Sequence, residues 1–475
     1  MATEALALLL PAHTPMKPSA SVVGLHFDSP PSPRVPRATL LALLLLLLLS
    51  PSASRAAAIG WQAPIDITRG AGERGPWQQN ESRYDFVDDP TAAWSPRGDL
   101  AVAWVDQRRK DVLLQRYAAD GVTPLGAPVD VSRSPATFSW LPRLAWAPDD
   151  PERLYALWQE IVFTGGSHGG EMFLAVSRDG GRSFEAPLNL SNSRPGDGKG
   201  RLTADNWHNG SFAIAVAQGG RVWAAWTEYD GRLWLARSLD GGRSFAPPRL
   251  MAGKPPAAPA RGPALAVGPN QALVLAWTTG ENARADILVA VSTDGGERFE
   301  QPRPAAVTAG HADAPKVAFD ARGVLHLVHA ESPDGPFKPS SIQHQRSTDG
   351  GRRFGPAMVI SGALVPGQAA GGFPAIGVDG RGRVVVTWEQ LEGPNLTPRG
   401  LAIAVSEDGL QFAKPQHIPA SADPGGGTNG STQGLLMDKL AVRADGELAL
   451  VNSALKTGSH SRIWLLRGKL PGQPR

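Results

Sequence analysis

One octapeptide recurs along the chain and restricts what it can fold into. It reads SRDGGRSF at 177–184, SLDGGRSF at 238–245, STDGGERF at 292–299 and STDGGRRF at 347–354. A shortened copy, SEDGLQF, spans 406–412, and a weaker one, YAADGVTPLG, starts at Tyr117. The central acids Asp120, Asp179, Asp240, Asp294, Asp349 and Asp408 lie 54 to 61 residues apart. A sustained period of this length marks a repeated supersecondary unit. Each unit has the same internal order. The fourth reads PALAVGP (263–269), ALVLAWTTG (272–280), DILVAVS (286–292), the Asp turn, and FEQPRPA (299–305). Four short β-type runs separated by turn residues are the pattern of a propeller blade. The glycines of the DGG step supply positive φ, and the Asp side chain can bond the turn's own N–H groups. The Phe that follows is expected inside the blade.

The units span 88–132, 140–191, 205–251, 260–305, 312–360 and 371–419. A seventh, 436–468, holds only three runs, KLAVRA, ELALVNSA and SRIWLLRG. Its missing fourth run stands near the other end of the chain, where Trp61-Gln-Ala-Pro-Ile-Asp-Ile-Thr resembles the F-x-x-P segment of the other units. The expected fold is all-β: a single β-propeller of four-stranded blades, closed by the N-terminal strand. Seven blades are favoured, and six are the alternative if units merge. Composition agrees. The 54 Gly and 43 Pro would suggest disorder in a polar chain, but 42% hydrophobic residues and 14 Trp can fill a large core.

Arg34 and Arg37 precede an apolar run from Leu40 to Leu49, followed by small residues and Ala56-Ala57-Ala58. A basic flank, a short apolar stretch and an A-x-A site read as a secretory signal, too short for a membrane span. Cleavage is expected after Ala58, leaving 59–475 as the propeller, either periplasmic or secreted. Removing residues 1–58 lowers the formal charge from +3 to +1. With no basic block, nucleic-acid binding is not expected. The absence of Cys excludes disulfides, thiolate metal sites and a cysteine nucleophile. No tight metal-ligand spacing occurs, so neither a metal nor a cofactor is expected, and the protein is read as a monomer.

The S-x-D-x-G-x-x-F repeats resemble the Asp-box, or BNR, repeats of the sialidase superfamily. The resemblance implies that Asp179, Asp240, Asp294, Asp349 and Asp408 are structural turn residues between strands three and four, on the face opposite the ligand site. The ligand face then collects the loops entering strand one and those joining strands two and three. Strand-two ends carry a second repeat, Trp-x-acid, at Trp104/Asp106, Trp158/Glu160 and Trp226/Glu228, with His329/Glu331 as a variant and Glu389 directly after Trp388. Spacing i, i+2 puts Trp and acid on one side of a strand. Two roles are open to these acids: pairing within a blade, Arg143 with Glu160 and Lys316 with Glu331, or a functional acid or cation-binding role. The Trp series is read as packing between blades in preference to a sugar platform. The same face is expected to hold Tyr84, Asp85, Asp88 and Asp89, the Asp205-Asn206-Trp207-His208-Asn209 segment, His311 and Asp313, with His168, Glu171, His344 and His460 in loops between strands two and three. The Asp205–Asn209 segment is the best suited to a sugar or other polar ligand.

Sialidases, by the same resemblance, grip a carboxylate with three arginines and use a Tyr nucleophile with a Glu and an acid/base Asp, an exception among glycosidases. Their first arginine opens blade one in an R-I-P motif; the tripeptide here is Asp88-Asp89-Pro90. Their tyrosine lies in a late blade, whereas the Tyr residues here are Tyr84, Tyr117, Tyr155 and Tyr229. Asp106-Gln-Arg108-Arg-Lys-Asp111 resembles the sialidase stretch with a substrate-contacting Arg and an acid Asp, which would cast Arg108 and Asp111 in those roles. The longer run WVDQRRKDVLLQRYAADGVTPLG also resembles a widespread bacterial repeat, W-x-D-x-R…D-I-Y-A-Q-R-x-D-x-x-G, in which the charges are structural. The expected function is therefore an exported module that binds a glycan or protein without sialidase activity; the alternative is an exo-acting glycoside hydrolase.

Overall fold

The computed structural model describes residues 58–472, apart from 79, 162–169, 193–210, 229–230, 255, 281–283, 337, 365–368 and 429–437. Short runs rich in Val, Leu and Ala, cut by Gly and Asp turns, pair as antiparallel meanders. Six four-stranded sheets form blades 1 to 6, and a further sheet forms blade 7. Their first strands are Val87–Trp94, Ser139–Ala147, Phe212–Ala217, Ala260–Val267, His311–Phe319, Ala370–Val378 and Leu440–Val442. First strands of successive blades lie against one another, which makes them the inner ring around the axis. The expected closure is present: Ile65–Gly70 pairs antiparallel with His460–Lys469, and Gly60–Trp61 extends the same edge. Seven blades are therefore formed, the last from both ends of the chain. Among the described residues no helix is long and apolar enough to cross a membrane.

The octapeptides occupy the turns between third and fourth strands. In blade 2 the Ser177 hydroxyl donates to Asp179 (2.8 Å) and accepts from the Gly181 N–H (2.7 Å). Asp179 also accepts from the Ser183 N–H (2.9 Å) and hydroxyl (2.6 Å). Gly180 and Gly181 hold φ of 73° and 82°, a region that glycine enters without a Cβ clash. The copy at Asp240 is built alike, and its Ser244 hydroxyl and N–H lower the carboxyl to about 2. Phe184 is buried in a cluster with Leu114 and Val131 of blade 1, so the turn's aromatic residue fills the junction with the preceding blade.

The strand-two tryptophans do the same at mid-height. Trp104, Trp158, Trp226, Trp277 and Trp388 are 1–3% exposed. Trp158 clusters with Ala103 and Val105 of blade 1, Trp226 with Leu157 and Leu174 of blade 2, and Trp388 with Val328 and Ile342 of blade 5. These rings are inter-blade packing, each worth about 3–5 kcal/mol against Ala. Arginines add ties between neighbouring turns: Arg97 to Glu152 (2.6 Å), Arg352 to Glu300 (2.9 Å), and Arg443 to the Ala119 carbonyl (2.7 Å). Exposed pairs of this kind contribute little individually.

Blade 5 departs from the apolar pattern. His326 and His344 face one another on its second and third strands, with ring centroids 5.3 Å apart and Nδ1 to Nε2 at 3.1 Å. Burial lowers both pKa values, and with the neighbouring His326 takes His344 to about 3. A depressed His pKa means that the unfolded chain binds the proton first, so stability falls as pH drops below the ordinary value of about 6.5. Each ring should add a slope of up to about 1.4 kcal/mol per pH unit in that range. His344→Leu is therefore expected to remove roughly half of that slope in denaturant titrations run from pH 6.5 to 4.5.

Candidate functional site

Five inner strands share one local device at their entry. A residue in the left-handed region precedes a proline: Asp89-Pro90 (φ 54°), Leu141-Pro142 (56°), Gly262-Pro263 (58°), Ala314-Pro315 (52°) and Phe373-Pro374 (52°). Each coincides with a break in register against the second strand. A bulge tolerates proline because the ladder needs no N–H there. It also re-aims the side chains beside it.

Arg143 and Lys316 directly follow two of these prolines. Both converge on Asp438, at the entry to blade 7: Arg143 Nε lies 3.6 Å from Oδ2, and Lys316 Nζ bonds Oδ1. Blades 2 and 5 stand well apart in a ring of seven, so their meeting through Asp438 places the cluster at the axis. Thr91 of blade 1 donates to the Asp438 carbonyl (3.2 Å), and the Arg143 guanidinium lies 5.1 Å from the Phe212 ring centre of blade 3. The Arg143 side chain is only 3% exposed, whereas that of Asp438 is 46% exposed. Burial pushes the Asp438 carboxyl up, but the Lys316 and Arg143 charges outweigh that and hold it below the usual range.

Next to this cluster, Lys439 bonds Glu389 of blade 6 and the Asn452 side chain (2.8 Å), with both charged groups buried. Asp88 and Asp89 of blade 1 are fully buried. The Ser453 hydroxyl donates to Asp88 (2.6 Å), and the Leu141 N–H donates to Asp89 (3.3 Å). One oxygen of each carboxyl has no hydrogen-bond partner among the described residues. Burial raises both pKa values, and the adjacent Asp88 charge pushes Asp89 well above the ordinary carboxylate value.

The expected intra-blade pairs of Arg143 with Glu160 and Lys316 with Glu331 are replaced by these axial contacts. Register is the reason. Arg143 lies opposite Leu157 while Glu160 lies opposite Ser139; Lys316 lies opposite Val328 while Glu331 lies opposite Ala312. Glu160 instead accepts from Thr137, Ser139 (2.9 Å) and the Trp158 indole (2.7 Å), so Trp and acid do share a side there, and burial raises its pKa. Glu331 accepts from Thr308 (2.6 Å) and faces His329 (3.4 Å), and the His329 contact lowers its pKa.

The remaining predicted residues are dispersed around the same face. Asp106 caps its loop by accepting from the Arg108 and Arg109 N–H groups (3.1 and 3.2 Å). Asp111 is held by Ser132 (3.3 Å) and the Ser134 N–H (3.1 Å), with its carboxyl raised first by burial and then by Asp130. Arg108 is 76% exposed and 3.6 Å from Asp85. Asp313 and His311 both meet Arg261 of blade 4, at 3.1 and 2.6 Å. Glu228 ends the second strand of blade 3, where its N–H bonds the Arg232 carbonyl (2.9 Å). Asp205, Trp207 and His208 lie outside the described residues. Among the described residues no group of His, Asp and Glu is arranged to hold a metal ion. Asp89 was expected on this face, whereas Asp438 and Lys439 were not singled out in the sequence. Their signal is positional: each stands at the entry to an inner strand.

No family model matches the chain, and no curated protein matches it in sequence. Several solved structures are similar to it at low identity. An ulvan lyase, a polysaccharide lyase, is 12% identical over 84% of this chain and 95% of its own, with TM-score 0.49. A Penicillium chrysogenum α-L-arabinanase is 13% identical over 74% of this chain and 100% of its own (TM-score 0.46). A Trypanosoma rangeli sialidase is 12% identical over 85% of this chain and 59% of its own (TM-score 0.44). The repeat turns between third and fourth strands are consistent with the sialidase-like superfamily that the octapeptides resemble.

Two substitutions test the axial electrostatics. Lys439→Met leaves Glu389 buried without its cation and should cost about 3–5 kcal/mol in urea unfolding, most of which a second change, Glu389→Gln, should restore. Asp89→Asn should stabilise the fold by roughly 1–2 kcal/mol at neutral pH. Because a raised carboxyl pKa contributes stability at low pH and loses it as pH rises through the folded value, that gain should grow from pH 4 to pH 8.

Proposed function

We propose that this chain is an exported propeller that binds a glycan or protein ligand on the face where the inner strands begin, without hydrolysing sialosides. Residues 1–58 act as the export leader. The observation that carries the reading is the engagement of Arg143 and Lys316 by Asp438 at the axis. Cations already neutralised by the fold do not form the unpaired arginine set that a sialoside carboxylate needs. The described tyrosines support the same reading. Tyr117 and Tyr155 are buried in blade interiors, and Tyr84 belongs to an aromatic cluster beside blade 2. Among the carboxylates of this face, Asp88, Asp89, Glu160 and Glu389 are at most 2% exposed, and the half-exposed Asp438 is engaged by Arg143 and Lys316.

A second reading, an exo-acting glycoside hydrolase, draws on Asp111. Burial raises its carboxyl, as a proton donor requires, and the exposed Arg108 lies in the same loop. The test is turnover of fluorogenic sialosides, arabinofuranosides and uronides by the purified full chain. No release above background is expected from any of them. Release that disappears in Asp111→Asn with the melting temperature unchanged would replace the binding reading by the hydrolytic one.

A further inference from the structure

Among the described residues, every Trp, Tyr and Phe is buried or half-buried except Trp77, which is 45% exposed. It stands on a short hairpin, Glu73–Arg74 paired with Tyr84–Asp85, that precedes the first inner strand. One side of its ring is backed by aromatic residues: Tyr84 stacks at 6.3 Å and 29°, and Phe138 lies 6.3 Å away. The hairpin is anchored to both adjoining blades. Asn80 accepts from the Phe138 N–H (3.0 Å) and donates to the Ile161 carbonyl (2.9 Å) of blade 2, and Lys110 of blade 1 donates to the Asn80 carbonyl (2.6 Å). Phe138 enters an inner strand, Lys110 lies in a loop between second and third strands, and Ile161 ends a second strand. The hairpin therefore caps the face opposite the octapeptide turns.

We propose that Trp77 is a stacking platform for a sugar ring, so that the ligand of this face is a carbohydrate. The inference rests on the binding function proposed above and names its ligand class. The C–H bonds on one face of a sugar ring are polarised by the neighbouring oxygens and meet the electron-rich face of an indole favourably. The hydroxyls around the ring then need charged or polar groups at the edge. Asp85, next to Tyr84 on the hairpin, pairs at 3.6 Å with the exposed Arg108, so an acceptor and a fork of donors belong to the same hairpin and its neighbouring loop. A platform fixed by strand pairing and by Asn80 loses little freedom on binding, which favours affinity.

A protein partner would require a wider apolar surface. Among the described residues the other large exposed apolar side chains are scattered: Val122, Leu239 and Leu410 lie in turns between third and fourth strands, and Leu188, Val307 and Val359 on or next to outer strands. Nucleobase stacking would call for a basic groove, which a mature chain of formal charge +1 without basic blocks does not provide.

The experiment is affinity electrophoresis of the full chain through gels containing soluble arabinan, xylan, polygalacturonate or dextran sulfate. Wild type should be retarded by at least one of them, and Trp77→Ala should weaken that retention about tenfold. Trp77→Phe, which keeps a ring, should stay within about threefold of wild type. Trp77→Gln gives a second ring-free variant, and melting temperatures show which variants remain folded. Retention of wild-type strength in a folded ring-free variant overturns the platform while leaving glycan binding intact. No retention of wild type by any of the polysaccharides overturns the platform and the glycan part of the proposed function together.

Discussion

The ring depends on one antiparallel pairing, Ile65–Gly70 against His460–Lys469, which joins the two ends of the described chain. Without it blade 7 would end on the His460–Lys469 strand, an exposed edge open to association with other chains. Closure also does more than hide an edge. It brings Ser461 and Ser453 of blade 7 against the entry of blade 1, where their hydroxyls bond the Val87 N–H (3.0 Å) and Asp88 (2.6 Å). It sets Asp438 and Lys439 at the axis, where blades 2, 5 and 6 supply their partners. A propeller whose closing strand comes from the far end of the chain thus completes its centre by contacts far apart in sequence.

Two kinds of glue divide the work between neighbouring blades. Along the blade faces the junctions are apolar, with a buried Trp or Phe from one blade seated on its predecessor. At the axis the junctions are ionic and carry an excess of burial cost, visible in the raised carboxyls of Asp88 and Asp89. Burying ion pairs seldom stabilises a fold relative to apolar replacements, but it gives each charge a single place to go. Here Asp438 ties blades 2 and 5 to blade 7 across the axis, at the centre of the face where the inner strands begin.

Much of the architecture was legible because its cause is local. The octapeptide turns need only Ser, Asp and two Gly at fixed spacing, and a strand-two Trp recurs in blades 1 to 4 and 6. The pairing of charged groups was not legible. Arg143 and Glu160 look like neighbours when only the strand ends are compared, yet the register sets Arg143 opposite Leu157 and Glu160 opposite Ser139. The partner that does meet Arg143 stands almost three hundred residues away, at Asp438, and nothing in either segment names the other. Trp77 was overlooked for a related reason: among 14 Trp its type says nothing, and only accessibility separates a surface platform from a core ring.

The sequence by itself determined the blade, favoured seven of them over six, and pointed to the N-terminal strand as the closing one, since period, turn chemistry and alternating apolar runs are local signals. The tertiary structure decided which charges are committed and which groups face the solvent. Those depend on bulges that re-aim side chains by one position and on contacts across the axis between blades that never adjoin in the chain. Arg143 and Lys316 each follow such a bulge, and the two meet at Asp438.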